Sequence, residues 1–255
     1  MLGDQERFAA ACAAIIGVER ETSGIGTLGE RTLHAVLKRY MEPWEANHEV
    51  KIGSYVADIV GEDGIIEVQT RNFGKMRKKL EEFLSVAPVT VVYPITATKR
   101  MCWVDPETGE TSALRKSPKR GTVYHCFYEL YFIRTLLSHP NFRLRLLLID
   151  TEEYRILNGW SHDRKRGSHR QERIPTVLVE EIAIQSPGDW LLLIPPGLPE
   201  RFTTKDFAAG SGLRQRDATT AVNVLRNIGV VENIGKQGRL QEYRIAPEFA
   251  DEPCF

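Results

Sequence analysis

The sequence predicts an α/β protein in two parts. Residues 1–195 read as a mixed sheet flanked by helices, and residues 199–255 as two helices followed by a hairpin. Three observations carry that prediction. Between Leu33 and Thr96 the hydrophobic pattern runs helix, three short strands, helix, strand. The last of these, VTVVYPIT, is the β-branched run of a strand buried on both faces. Breaks at Pro187-Gly188 and Pro195-Pro196-Gly197 then separate this text from a C-terminal stretch of different character.

Taken in order, Asp4 to Val18 is an amphipathic helix with Phe8, Cys12, Ile15 and Ile16 near the helical period. A Gly- and Ser-rich stretch, Thr22 to Gly29, interrupts it. Leu33, Val36, Leu37 and Tyr40 then mark a second helix that ends before Pro43. Three strands follow in meander order: His48 to Lys51, Tyr55 to Val60 and Ile65 to Thr70. Phe73 to Leu84 is a helix carrying Lys75, Arg77, Lys78 and Lys79, and Pro88 to Thr96 is the buried strand. Further on, Arg100 to Val104 reads as a strand, Thr122 to Ser138 as one helix with an aromatic cluster, and Phe142 to Ile149 as a strand with Tyr154 to Leu157 as its hairpin partner. Thr176 to Ile184 extends the sheet.

The hairpin from Tyr55 to Gln69 places acids where a plain sheet would not. If Gly61 pairs with Gly64 across the turn, Val60 faces Ile65 and Asp58 faces Glu67, with Cβ atoms roughly 5 Å apart. Like charges in that position destabilise a sheet, so a cation is expected between them. Gln69 lies two residues beyond Glu67 and points the same way.

This constellation, Asp58 followed by Glu67-Val68-Gln69, resembles the core of the PD-(D/E)XK nuclease superfamily, in which an acid on one strand and an acid-x-Lys on the next hold the catalytic metal. The resemblance spans roughly residues 27–95, and the element order is also that of the superfamily. It implies a restriction-endonuclease-like mixed sheet, with Asp58 and Glu67 as ligands of Mg²⁺ or Mn²⁺. This chain has Ala57 in place of the usual Pro and Gln69 in place of the usual Lys. Some restriction endonucleases of the superfamily carry the same Glu-x-Gln. Gln69 would orient water or a phosphate oxygen, since an amide is no general base at neutral pH. Lys75 or Lys79 on the following helix, or Lys51, are candidates for the absent strand Lys. Glu30 matches the helix acid that often completes such a site, and Thr27-Leu28-Gly29-Glu30 equally fits a capping box.

In the C-terminal part, Thr204 to Ala209 and Leu213 to Asn227 are helices and Gln237-Gly238 is the tip of a hairpin. Helix-turn-helix followed by Leu-Arg-Asn-Ile-Gly-Val-Val and a hairpin resembles the winged-helix fold. That resemblance implies base contacts from Arg214, Gln215, Arg216 and Thr219, and phosphate contacts from Lys236 and Arg239. The bland reading of the same unit is a packing or dimerisation module. Between Ser161 and Arg173, the cations Arg164, Lys165, Arg166 and Arg170 make a loop suited to phosphate.

Composition bounds these readings. The chain has 255 residues, 42% of them hydrophobic, and its 34 basic and 34 acidic residues balance, so nucleic-acid binding must rest on local patches. Cys12, Cys102, Cys126 and Cys254 show neither zinc spacing nor a disulfide framework, which fits a reduced cytoplasmic setting. The first residues lack the basic start of a signal peptide, and no apolar stretch reaches membrane-spanning length. The expected activity is metal-dependent hydrolysis of DNA, with the winged helix binding or targeting it. The alternative is an inactive nuclease-like DNA-binding regulator or assembly subunit. Both leave room for a homodimer or a partner protein, including a toxin or defence component that cleaves only when assembled.

Overall fold

The computed structural model of the protein describes residues 4–23, 31–157 and 167–249. Helices α1 (Gln5–Ser23) and α2 (Arg31–Met41) precede β1 (His48–Ile52), β2 (Tyr55–Gly61) and β3 (Gly64–Val68). Helix α3 (Phe73–Leu84) leads to β4 (Val89–Val104), and β5 (Arg115–Lys116) and α4 (Cys126–Leu130) lead to β6 (Phe142–Ile156) and β7 (His169–Ile184). The chain continues through β8 (Phe202–Thr203), α5 (Thr204–Ser211), α6 (Gln215–Asn227), β9 (Val231–Gln237) and β10 (Leu240–Ile245).

The first seven strands form one mixed sheet in the order β1-β2-β3-β4-β6-β7, with β5 paired to β4. Strands β1 to β3 are an antiparallel meander, whereas β3, β4 and β6 run parallel and need crossovers, which α3 and the α4 region supply. The expected hairpin register holds, with Gly61 opposite Gly64 and Val60 opposite Ile65. Gly64 has φ 112°, and a side chain there would meet the Pro88 carbonyl oxygen at 2.3 Å, so β3 starts against backbone that only glycine tolerates.

Alternation along the central strand divides the core. Val91 belongs with Ile65, Leu80, Phe83, Phe127 and Leu130 on the α3 face, and the next residue, Val92, with Phe8, Val36, Leu37 and Val68 on the α1–α2 face. Helices therefore cover both faces. A smaller cluster, Cys102, Val104, Tyr154 and Ile174, extends the sheet beyond them.

Three expected elements differ. Pro88 to Thr96 and Arg100 to Val104 belong to one strand, β4, which passes an irregularity between Thr96 and Lys99 without ending. Tyr154 to Leu157 is no hairpin partner, because β6 continues unbroken to Ile156 and its antiparallel partner is β7. The expected helix from Thr122 to Ser138 is instead a 3₁₀ turn (Val123–His125), one short α-helix (α4) and a second 3₁₀ segment (Tyr131–Leu136). Thr122 and His125 close a capping box on the first turn, and the aromatic and β-branched side chains that follow lose rotamer freedom in a regular helix.

Because β6 pairs with β4 along its length, β5 must lie on the edge that β3 leaves. Beyond Gln69, whose N–H reaches the Val92 carbonyl, that edge is taken by Ser117 N–H on the Lys99 carbonyl and Gly121 N–H on the Ala97 carbonyl. Gly121 runs so close that a Cβ would sit 2.2 Å from the Thr96 carbonyl oxygen.

Strands β8, β10 and β9 form a second, antiparallel sheet beside α5 and α6. Thr203 and Asp206 cap α5 reciprocally. This unit does not hang on a tether: Phe207, Ala221, Val222 and Leu225 lie in the same continuous apolar cluster as Phe127, Leu130 and Trp190. Phe207 meets Tyr124 and Phe127 edge to face, with centroids 6.3 Å apart in each case.

Candidate functional site

The β2–β3 ladder stops at Ile59 opposite Ile66, and the next pair in that register is Asp58 and Glu67. Here the carboxylates bond across the hairpin themselves. Glu67 Oε1 accepts from the Asp58 N–H at 3.1 Å, and Asp58 Oδ2 accepts from the Val68 N–H at 2.8 Å. Each acid also meets a cation or imidazole from a different side of the sheet. Lys79 Nζ of α3 donates to Glu67 Oε2 at 2.6 Å, and His34 Nε2 of α2 lies 3.2 Å from Asp58 Oδ2.

A third acid joins the row. Glu49 lies between the pairs His48–Ile59 and Val50–Ala57, which puts it opposite Asp58 on β1. Its φ of 55° is left-handed, a conformation that costs a non-glycine residue roughly 1–2 kcal/mol, and its carboxylate reaches Lys38 of α2 at 2.9 Å. Sequence reasoning missed Glu49 because an irregularity inside a strand has no period. Lys51 does not meet the acids; it pairs with Val56 and is exposed.

The electrostatics separate the central pair. Burial, and then the charge of Asp58, push the Glu67 carboxyl up to about 6, against the pull of Lys79. Burial also works to raise the Asp58 carboxyl, but the hydrogen bond and charge of His34, the Val68 N–H and Lys79 together hold it below its ordinary value. One acid therefore keeps its charge readily while its neighbour resists. Such a pair favours any added positive charge.

The other expected site residues are distributed as follows. Gln69 is half-buried, and its amide nitrogen donates to the Arg71 carbonyl at 2.7 Å, so it turns into its own loop rather than onto the acids. Lys75 is exposed. Glu30, Arg164, Lys165 and Arg166 lie outside the described residues, as does the side chain of Arg170. Arg214 and Arg216 are exposed at the start of α6, and Lys236 and Arg239 at the β9–β10 tip. Gln215 is held by the Thr204 hydroxyl at 2.7 Å, and the Thr219 hydroxyl donates to the Gln215 carbonyl. Among the described residues no three His, Cys, Asp or Glu side chains converge closely enough to hold a metal ion. No described helix is long and apolar enough to cross a membrane.

Comparison with known proteins gives two matches. A family model described as "Domain of unknown function (DUF8091)" matches residues 31–185, which contain the hairpin and the sheet through β7. An "Uncharacterized protein" of Treponema pallidum (strain Nichols) is 31% identical over 230 residues, covering 88% of each chain. No solved structure matches.

Proposed function

The chain belongs to the DUF8091 family, and for this member, built around Asp58 and Glu67, we propose a metal-dependent nuclease that hydrolyses DNA phosphodiester bonds. The observation that carries the reading is the contact of Lys79 with Glu67, beside Asp58, at the open end of the β2–β3 hairpin. An acid pair with an adjacent lysine is the set that the PD-(D/E)XK resemblance asks for, with the lysine on α3 rather than β3. The run of helix α2, meander β1 to β3, helix α3 and parallel strand β4 supports the same reading.

The donors fit a hard divalent cation, because Mg²⁺ needs only one or two protein carboxylates and Glu67 already resists its negative charge beside Asp58. Asp58 and Glu67 would hold the ion. When bound, it would supply Lewis-acid stabilisation of the phosphoryl oxygens and a lowered pKa for water. The chain's own residues have separate tasks. Lys79, a mobile point charge with three donors, stabilises negative charge developing on the phosphate. His34 holds the Asp58 carboxylate in place. Residues β8 to β10, with α5 and α6 between them, follow the order of a winged helix, and exposed Arg214, Arg216, Lys236 and Arg239 suit phosphate and groove contacts.

One observation favours a second reading, an inactive DNA-binding regulator or assembly subunit. Gln69 is engaged by its own loop, which leaves the strand position without a group facing the acids. Cleavage of linear and supercoiled DNA with Mg²⁺ or Mn²⁺ decides between them. Activity that disappears in both Asp58→Asn and Glu67→Gln supports the nuclease; no cleavage by wild type, with no metal binding by calorimetry, selects the regulator.

A further inference from the structure

Past the end of β3, the edge of β4 carries a line of cations to which the site itself assigns no task. From Thr111 to Gly121 the sequence is TSALRKSPKRG, with four basic residues, no acid and no aromatic. Its β5 pairs Lys116 with Arg100 and Arg115 with Met101, and Gly121 returns the segment to β4 at Ala97. Arg115, Lys116, Lys119 and Arg120 are all exposed, and among the described residues no ion pair engages them. The nearest cations on β4 and β6 are matched: Lys99 and Arg155 flank buried Glu153, and Arg100 meets Glu152. Leaving four neighbouring cations unmatched on a chain of zero net charge is a local excess that attracts a polyanion.

Geometry gives that polyanion a direction. Gln69 bonds to Val92 of β4, and the Arg100–Lys116 pair lies about eight residues further along the same strand, roughly 26 Å at ~3.3 Å per residue. Backbone pinned to β4 at Ala97, Lys99 and Arg100 presents these charges along the edge that continues past Gln69, starting roughly 16 Å beyond the end of β3 at ~3.3 Å per residue. We propose that Arg115, Lys116, Lys119 and Arg120 form a tracking surface for the phosphate backbone of duplex DNA, leading one strand toward the acid pair. A duplex fits better than a single strand because the segment has no aromatic side chain on which unpaired bases could stack. This surface rests on the nuclease reading for its purpose, but not for its existence.

The test is binding of a duplex of about 20 base pairs by the full chain in EDTA, where cleavage is absent, across a series of salt concentrations. The quadruple variant R115Q/K116Q/K119Q/R120Q should show a log–log salt slope smaller than wild type by about 3 to 4, since each phosphate contact contributes about 0.9. The charge-conserving variant R115K/K116R/K119R/R120K should keep the wild-type slope. All four side chains are exposed, and an unchanged thermal midpoint confirms that each variant folds. An unchanged slope in the glutamine variant overturns the proposal, as does failure of wild type to bind duplex. Equal or tighter binding of a single strand of the same length overturns the duplex assignment. Loss of the nuclease reading would look different: intact, slope-dependent binding with no cleavage in Mg²⁺ or Mn²⁺ leaves this surface standing.

Discussion

Lys79 is the residue on which activity and electrostatics meet. It is one helix turn from exposed Lys75 but is half-buried, with its ammonium over the Phe83 ring and 2.6 Å from Glu67. Lys79→Met should reduce cleavage on the order of 100-fold and leave duplex affinity in EDTA nearly unchanged, whereas Lys79→Arg should recover part of the rate. Glu67 makes a separate prediction for stability. Its folded-state value of about 6 exceeds the 4.5 of an unperturbed carboxyl, so between these values the folded chain binds the extra proton. A raised carboxyl costs stability above that window and returns it as pH falls. Urea unfolding should therefore gain roughly 1–2 kcal/mol between pH 7 and pH 5 from this group, and Glu67→Gln should lack that part of the gain. By the same competition, divalent metal should bind less tightly below pH 6.

At the scale of elements, the hairpin was the most legible part of the chain. Gly61-Glu62-Asp63-Gly64 between two β-branched runs set the register, and the register alone placed Asp58 beside Glu67. What the pattern could not convey was the left-handed turn at Glu49, the continuation of β4 past Thr96, or the breaking of the aromatic helix into short pieces. Each depends on which neighbour a segment packs against, and hydrophobic periodicity does not encode that. The aromatic run illustrates it: Phe127 is buried beneath α5 while Tyr128 and Phe132 remain 55% and 46% exposed. Gly64 offers the sharpest test of an element. Gly64→Ala forces a Cβ against the Pro88 carbonyl and should cost roughly 2–3 kcal/mol in chemical denaturation, loosening the β3–β4 crossover.

For the whole molecule, the Pro195-Pro196-Gly197 break reads as a change of character in the chain but carries no sign that the segment after it is buried against the first sheet's helices. Composition shows where a chain turns; it cannot show that Phe207 will fill a space against Tyr124 and Phe127. The shared core predicts one cooperative thermal transition for the full chain. A fragment ending at Leu198 should lose that transition and bind a hydrophobic dye, and two resolved transitions in the intact chain would contradict the shared core. The close approach of Gly121 to Thr96 has one more consequence. Past Gln69 the edge of β4 would otherwise offer unpaired N–H and carbonyl groups to any passing strand, and the segment ending at Gly121 occupies it. Its lysines and arginines are side chains that resist edge-to-edge pairing, so a bulky residue at Gly121, by displacing the segment, should expose the β4 edge and raise aggregation in light scattering.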